Sequence, residues 1–283
     1  AHAALMSATF IYAAWRFGPL MHIFVSPLNL LMRSSVTRPK GALRPMGDLD
    51  TLDVFGAREI THLTSKQLLD YDSCTNCGRC QDQCPAWRSG KPLSPRKLVQ
   101  DAKAYMIQRA PVLLADGVDA SPPEPQEDLI HGFISPEALW SCTTCGACME
   151  ACPVFVEHID SIVDMRRYLT MEEADVPETA MDALNSMEQR GHPWRGTQAT
   201  RTDWMEGTEA VAMADDPDGE LLLWVGCTSA LDGRGQQVAR AMASVLKLAG
   251  VKYRVLGAEE TCTGDPARRM GNEYLYQMMA QQN

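Results

Sequence analysis

The sequence predicts a multidomain α + α/β chain, and three observations carry that prediction. The first 32 residues, AHAALMSATFIYAAWRFGPLMHIFVSPLNLLM, hold Arg16 as their only formal charge. A cysteine spacing then occurs twice among helix and turn signals, with no strand alternation. Near the end, an apolar run, an amphipathic run and a second apolar run follow one another, as in a βαβ unit.

At 283 residues the chain has room for about two domains. It does not begin with Met and is read as a window of a longer polypeptide. A formal net charge of -10 argues against nucleic acid as a partner. The acid is unevenly placed. No Asp or Glu precedes Asp48, whereas Arg16, Arg33, Arg38, Lys40 and Arg44 all fall before it. That asymmetry points to a membrane-facing start.

Residues 1–33 are expected to be a membrane helix and its interfacial end. As one helix, Ala3 to Val25 would span about 34 Å, against a hydrocarbon core of about 30 Å. Gly18-Pro19 would kink it. The basic residues from Arg33 to Arg44 place this end on the cytoplasmic side of the cell membrane. The alternative is a buried or interfacial helix, because Arg16 interrupts the run.

Residues 34–69, with Pro39, Pro45 and several glycines, are expected to be a surface linker. Residues 70–170 hold eight of the ten cysteines. Between the two groups, Ser94 caps and Pro95 opens a helix expected over Ser94 to Ala110. SPEALW from Ser135 repeats that start signal, and SPPEPQED from Ser121 is expected to be a surface loop. Residues 171–219 are polar and acidic, a linker or wrapping segment. Residues 220–283 begin an α/β domain. LLLWVGC (Leu221 to Cys227) and KYRVLG (Lys252 to Gly257) are its expected strands, and GQQVARAMASVLKLAG is the helix between them. Cys227 and Cys262 would lie at the carboxyl ends of these strands, where open α/β sheets place their sites.

The cysteine groups are CTNCGRCQDQCP (Cys74, Cys77, Cys80, Cys84) and CTTCGACMEACP (Cys142, Cys145, Cys148, Cys152). Both obey C-x2-C-x2-C-x3-C-P, the bacterial ferredoxin spacing for [4Fe-4S] clusters. Cysteines at steps of three let one loop wrap three corners of a cubane, and Gly78 and Gly146 permit the tight turn. In two-cluster ferredoxins the fourth cysteine serves the other cluster. One cluster is therefore expected on Cys74, Cys77, Cys80 and Cys152, and the other on Cys142, Cys145, Cys148 and Cys84. Structural zinc fits poorly, since its C-x2-C pairs stand a dozen or more residues apart.

With these parts in order, the chain resembles membrane-bound iron-sulfur oxidoreductases related to the D subunit of heterodisulfide reductase. There a helical ferredoxin domain precedes cysteine-rich "CCG" domains; GCTSA (Gly226 to Ala230) and CTGD (Cys262 to Asp265) carry the likeness. LMHIFVSPLNLLMR, from Leu20, resembles the last helix of nitrate reductase gamma-type cytochrome b subunits. GDPARRMGNEYLYQ resembles the branch acting as electron-transfer-flavoprotein:menaquinone oxidoreductases.

The resemblance implies electron relay from electron-transfer flavoprotein, through the clusters and haem b, to menaquinone. His2 and His22 match the haem-ligand positions, with partner histidines on helices outside this sequence. His62, His131, His158 and His192 are read as surface or packing residues. In the family, a CCG domain also supplies an adjacent Cys-Cys pair and a later C-x-x-C. Here Thr263 stands in the second place of that pair, and a neutral hydroxyl is a poor iron ligand. Two readings of Cys227 and Cys262 stay open: half of a third cluster completed from outside the chain, or unliganded packing thiols or a redox pair. Two alternative functions also stand: heterodisulfide or thiol-disulfide reductase, and an iron-sulfur wiring subunit of another dehydrogenase.

Overall fold

The computed structural model describes residues 2–16, 21–33, 39, 41–117, 128–194 and 197–283. The chain divides into two compact units, Ala1–Ala174 and Asp175–Asn283.

The first unit is helical. It begins with α1 (His2–Arg16) and α2 (His22–Leu31). The single 34 Å helix expected here therefore reads as helices of 15 and 10 residues. Gly18-Pro19 lies outside the described residues, and no described helix is long and apolar enough to cross a membrane. Thr64 opens α3 (Ser65–Ser73) through a capping box with Gln67. Each ferredoxin-type motif contributes a one-turn helix: α4 (Arg79–Asp82) and, after the second glycine, α8 (Ala147–Glu150). Pro85 starts α5 (Pro85–Arg88).

Ser94 caps α6 (Pro95–Asp116), its Oγ accepting from Lys97 N at 3.1 Å. This helix outruns the expected Ala110 and carries Pro111 in its interior. Ser135 caps α7 (Pro136–Trp140) in the same way. The loop from Ser121 lies, except for Asp128, outside the described residues.

The core forms around α9 (His158–Met171), in which every residue from His158 to Leu169 is buried. A helix buried on all sides belongs to the interior. Ile162, Met165 and Leu169 pack with Leu98, Val99, Ala102 and Tyr105 of α6 and with Leu129, Ile134 and Leu139. The polar residues of α9 are partnered. Asp164 accepts from Gln67 Nε2 at 2.6 Å and from Arg167 Nη1 at 2.7 Å, and it pairs with Arg44.

The stretch read as a surface linker is drawn into this core. Ala57, Ile60 and Leu63 are buried, and Ala57 N donates to Asp164 O at 2.9 Å. The approach is possible because residue 56 is glycine, at φ +88°; a Cβ there would stand 2.3 Å from Asp164 O. Gly56→Ala is therefore expected to destabilise the unit by about 2–5 kcal/mol, combining a left-handed backbone with overpacking. Urea unfolding measures this; a loss below about 0.5 kcal/mol, typical of neutral surface changes, would contradict the close approach.

The second unit opens with α10 (Glu178–Arg190), stopped by Gly191 at φ +73°. The segment 171–219 thus holds this helix and a 3-10 stretch, Gln198–Met205. Strand β1 (Leu221–Leu222) pairs in parallel with β2 (Tyr253–Arg254), Leu221 opposite Tyr253. Between them run α11 (Gly226–Leu231) and α12 (Gly233–Leu248), the latter capped by Asp232. The helices α13 (Asp265–Arg269) and α14 (Glu273–Gln282) follow.

The βαβ connection is as the sequence predicts, but the strands are two residues long. Leu221 and Leu222 remain exposed, whereas parallel sheets normally gain length by being covered on both faces. The shortening moves Cys227 from a strand end to the first turn of α11.

Candidate iron-sulfur centres

The two motif loops share one backbone design. Gly78 and Gly146 sit at φ +85° and +82°, and Asn76 and Thr144 are also left-handed, at +56° and +52°. A β-branched residue tolerates that region poorly, so Thr144 is held there by its surroundings. Each glycine is the N-cap of a one-turn helix carrying the third cysteine, Cys80 on α4 and Cys148 on α8. These two short helices pack against each other.

None of the ten cysteines is in a disulfide. Cys74, Cys77, Cys80 and Cys152 line one small cavity of about 10 Å³ with Arg96, Val156 and His158. Cys152 thus stands with the first motif, not with its own sequence neighbours. In the other set, Cys148 is flanked by Cys142, Cys145 and Cys84, and also by Cys80 of the first set. The two centres are therefore interlocked and adjacent.

Backbone and side-chain donors reach the sulfurs. Gln100 Nε2 donates to Cys74 Sγ, Val156 N to Cys152 Sγ and Thr144 N to Cys142 Sγ, each at 3.3 Å. Such donors orient thiolates and tune a cluster's potential. Burial pushes the Cys80 thiol up to about 11, helped by the charges of Cys74, Cys152 and Cys77. Burial also raises Cys142, Cys148 and Cys152. As free thiols these groups hold their protons at neutral pH, so a metal must displace them on binding. Four sulfurs lining one cavity fit iron-sulfur chemistry.

Several residues around the centres carry no sequence signal of their own. Arg166 donates to Leu139 O at 2.6 Å and to Cys142 O at 2.5 Å, and lies 5.2 Å over the Trp140 ring. Arg96 Nε donates to Asn76 Oδ1 at 2.6 Å, bracing the first loop. His158, read as a packing residue, is buried at the cavity wall with Nδ1 3.0 Å from Val156 O. Burial holds its imidazole down at about 4, so it is neutral.

Asp70, buried on α3, precedes Cys74 by four residues. It accepts from Asn29 Nδ2 at 2.8 Å, from Lys66 Nζ at 2.6 Å and from Glu157 N at 3.1 Å. Burial pushes its carboxyl up from 3.8 to about 6, against the pull of Lys66, Asn29 and the Glu157 N–H. A raised carboxyl binds more protons folded than unfolded, so its contribution to stability falls as pH rises from about 4 to about 6. Asp70→Asn removes that loss. The variant is expected to gain on the natural protein by up to about 3 kcal/mol between pH 4 and 7. Urea melts across that range test this; a difference that stays constant with pH contradicts it.

In the second unit Cys227 and Cys262 are buried together and share a hydrogen bond. Arg201 Nη1 donates to Cys227 Sγ at 3.5 Å, and its Nη2 to Glu260 Oε1 at 2.5 Å. Glu260 also accepts from Val225 N at 3.1 Å and Gly226 N at 2.7 Å, at the start of α11. Cys262 is fixed through its backbone, with N donating to Gly191 O and O accepting from Asn283 Nδ2, both at 2.9 Å. The bond from Cys262 and the Arg201 charge hold Cys227 down at about 6, while the same bond and burial raise Cys262. The hydrogen bond and the Arg201 guanidinium both favour the deprotonated form of Cys227 over that of Cys262. Two thiols supply only half of the ligands of a four-iron cluster.

The haem candidates are not brought together. His2 is exposed on α1. His22 is half-buried on α2, and its Nδ1 has no partner among the described residues. Residues Phe17 to Leu20, between the two helices, lie outside the described residues. Each histidine offers a single imidazole, so a haem on either one needs a second axial ligand from outside the described residues.

Two interlocked four-cysteine centres in a helical domain, followed by a cysteine pair in a βαβ unit, define an iron-sulfur electron-transfer protein. The chain belongs to the iron-sulfur oxidoreductases that join a 4Fe-4S dicluster domain, matched over residues 73–156, to a cysteine-rich CCG domain, matched over 221–283. It is 38% identical over 300 residues to the protein named EtfAB:quinone oxidoreductase of Syntrophomonas wolfei, covering 98% of this chain and 42% of that protein. It is 36% identical over 285 residues to a probable membrane-anchored ferredoxin of Chromohalobacter salexigens, covering 94% of this chain and 42% of the relative. The D subunit of dihydromethanophenazine:CoB–CoM heterodisulfide reductase from Methanosarcina barkeri is 29% identical over 224 residues, 76% of this chain and 50% of that subunit. The chain thus spans about half the length, or less, of these relatives.

Proposed function

We propose that the chain is the iron-sulfur part of a membrane-bound oxidoreductase that relays electrons from electron-transfer flavoprotein to menaquinone. The observation that carries this is the interlock: each fourth cysteine lies with the other motif, and α4 packs on α8. Cys74, Cys77, Cys80 and Cys152 would hold one [4Fe-4S] cluster, and Cys142, Cys145, Cys148 and Cys84 the other. When bound, the clusters supply one-electron transfer. The chain's own residues place them, exclude water from Cys80, Cys84 and Cys148, and direct N–H donors at their sulfurs.

Cys227 and Cys262 would give two ligands to a third iron-sulfur cluster, completed from outside residues 1–283. His2 and His22 would each need a partner histidine, also from outside, to hold haem b. The iron-sulfur units would face the cytoplasm. The donor and acceptor rest on the name of the relative from Syntrophomonas wolfei and on the apolar, acid-free start of this chain.

The test is freeze-quench EPR of the full-length protein in membranes, mixed with reduced electron-transfer flavoprotein. Both cluster signals are expected to appear within turnover time and to fade when menaquinone is added. Clusters that stay oxidised beside the reduced flavoprotein would sink the proposal. Turnover of a thiol-disulfide with a viologen donor would favour the disulfide-reductase alternative.

A further inference from the structure

Helix α2 is built inside out. Its inward positions are His22, Val25, Ser26 and Asn29, spaced i, i+3, i+4 and i+7, and three of the four are polar. Its outward positions include Ile23, Phe24, Leu28, Leu30 and Leu31, all exposed and all apolar. A helix on a water-facing surface has the opposite arrangement. The surroundings that suit this outer face are hydrocarbon.

The polar stripe docks on particular segments. Ser26 Oγ donates to Ser73 O at 3.5 Å, one residue before Cys74. Asn29, fully buried, donates through Nδ2 to Asp70 Oδ1 at 2.8 Å and to Val154 O at 2.9 Å, two residues after Cys152. Past the end of the helix, the Arg33 guanidinium lies 5.1 Å over the Phe155 ring. All four contacts thus go to the segments leading into Cys74 or out of Cys152. Those two cysteines line the same cavity. The loop of the other centre is clamped by Arg166 of α9, which donates to Cys142 O.

We propose that the Cys74–Cys77–Cys80–Cys152 centre is the membrane end of the electron wire, held against the lipid surface by α2. The occupant of the outer face of α2 is bilayer lipid. Charge supports that choice: the first 47 residues hold no carboxylate, and Arg33, Arg38 and Lys40 follow the helix. Basic residues beside an apolar face are what an anionic lipid surface attracts. The order of transfer follows. Electrons arrive at the Cys142 centre, cross one at a time to the Cys74 centre, and leave towards the membrane. Two such electrons and two protons from water convert a quinone to its quinol. This order rests on the membrane function proposed above, and it adds which centre is the exit.

The experiment uses the full-length holoprotein in vesicles containing lipid with a chelated gadolinium headgroup. EPR relaxation of each dithionite-reduced cluster is measured. Cys77→Ser and Cys145→Ser identify the two signals, since each removes one. Faster relaxation is expected for the signal missing in Cys77→Ser. Equal relaxation of both, or faster relaxation of the signal missing in Cys145→Ser, overturns the order while leaving the membrane function standing. Protein that does not bind the vesicles overturns the membrane function and the order with it. Asn29→Leu, at unchanged iron content, is expected to bring the faster signal down towards the slower one. A faster signal left unaltered shows that the stripe does not hold the centre in place and overturns the role given to α2.

Discussion

Replacing Cys152 with Ser is expected to extinguish the cluster of the first motif and to spare that of its own motif. Cys152 follows Cys148 by four residues, yet it lines the cavity of Cys74, Cys77 and Cys80. The spectrum of Cys152→Ser should therefore match that of Cys77→Ser and differ from that of Cys145→Ser. Iron content should fall by about four atoms per chain in each case. Cys84→Ser should show the reverse pattern and match Cys145→Ser, because Cys84 stands beside Cys148. If Cys152→Ser instead removes the signal that Cys145→Ser removes, each motif keeps its own four thiols and the interlock is wrong. The effect extends beyond spectroscopy. Each cluster would join residues about seventy positions apart, so losing either one loosens the packing of α4 on α8. Both variants are expected to unfold at lower denaturant than the natural holoprotein, since metal binding free energy adds to folding free energy.

These eight cysteines are legible in the sequence because a cubane imposes its geometry over a dozen residues of chain. Local rules of the same kind announce the helix starts at Ser94 and Ser135, where a side chain caps a backbone three residues away. What is illegible depends on partners distant in sequence. Arg201 and Glu260 stand 59 residues apart and read as ordinary surface charges until folding buries both. Arg166 reads as one more charge on a helix, yet it clamps the carbonyl of Cys142. The segment from Phe55 to Leu63 has linker composition, and only the contact of Gly56 with α9 shows that it is core. The start of the chain shows the limit most clearly. Its apolar character is plain from composition, but which face of α2 turns inward depends on where Asp70 and Val154 O lie. The strands of the second unit come out short because hydrophobicity marks what will be covered and does not say by what.

Glu260→Ala is expected to be among the most damaging single changes in the second unit. Glu260 is 2% exposed and Arg201 is 1% exposed, so removing the carboxylate strands a guanidinium in the interior. Breaking a buried pair from one side costs about 3–5 kcal/mol. The same change leaves the N–H groups of Val225 and Gly226 without their acceptor, at the start of the helix that carries Cys227. Replacing both partners by apolar residues of similar size, Arg201→Met with Glu260→Leu, avoids the stranded charge. The double variant is expected to be clearly more stable than Glu260→Ala alone, which is non-additivity of the kind shared networks show. Calorimetric unfolding of the three proteins decides it. A single-variant loss below about 1 kcal/mol would place the pair among weak surface bridges. A double variant no more stable than Glu260→Ala would contradict the stranded charge. The pair also bears on the site chemistry. Arg201 spends one nitrogen on Glu260 and another on Cys227 Sγ. The carboxylate helps aim the guanidinium at the sulfur, while its own negative charge pushes the Cys227 thiol up.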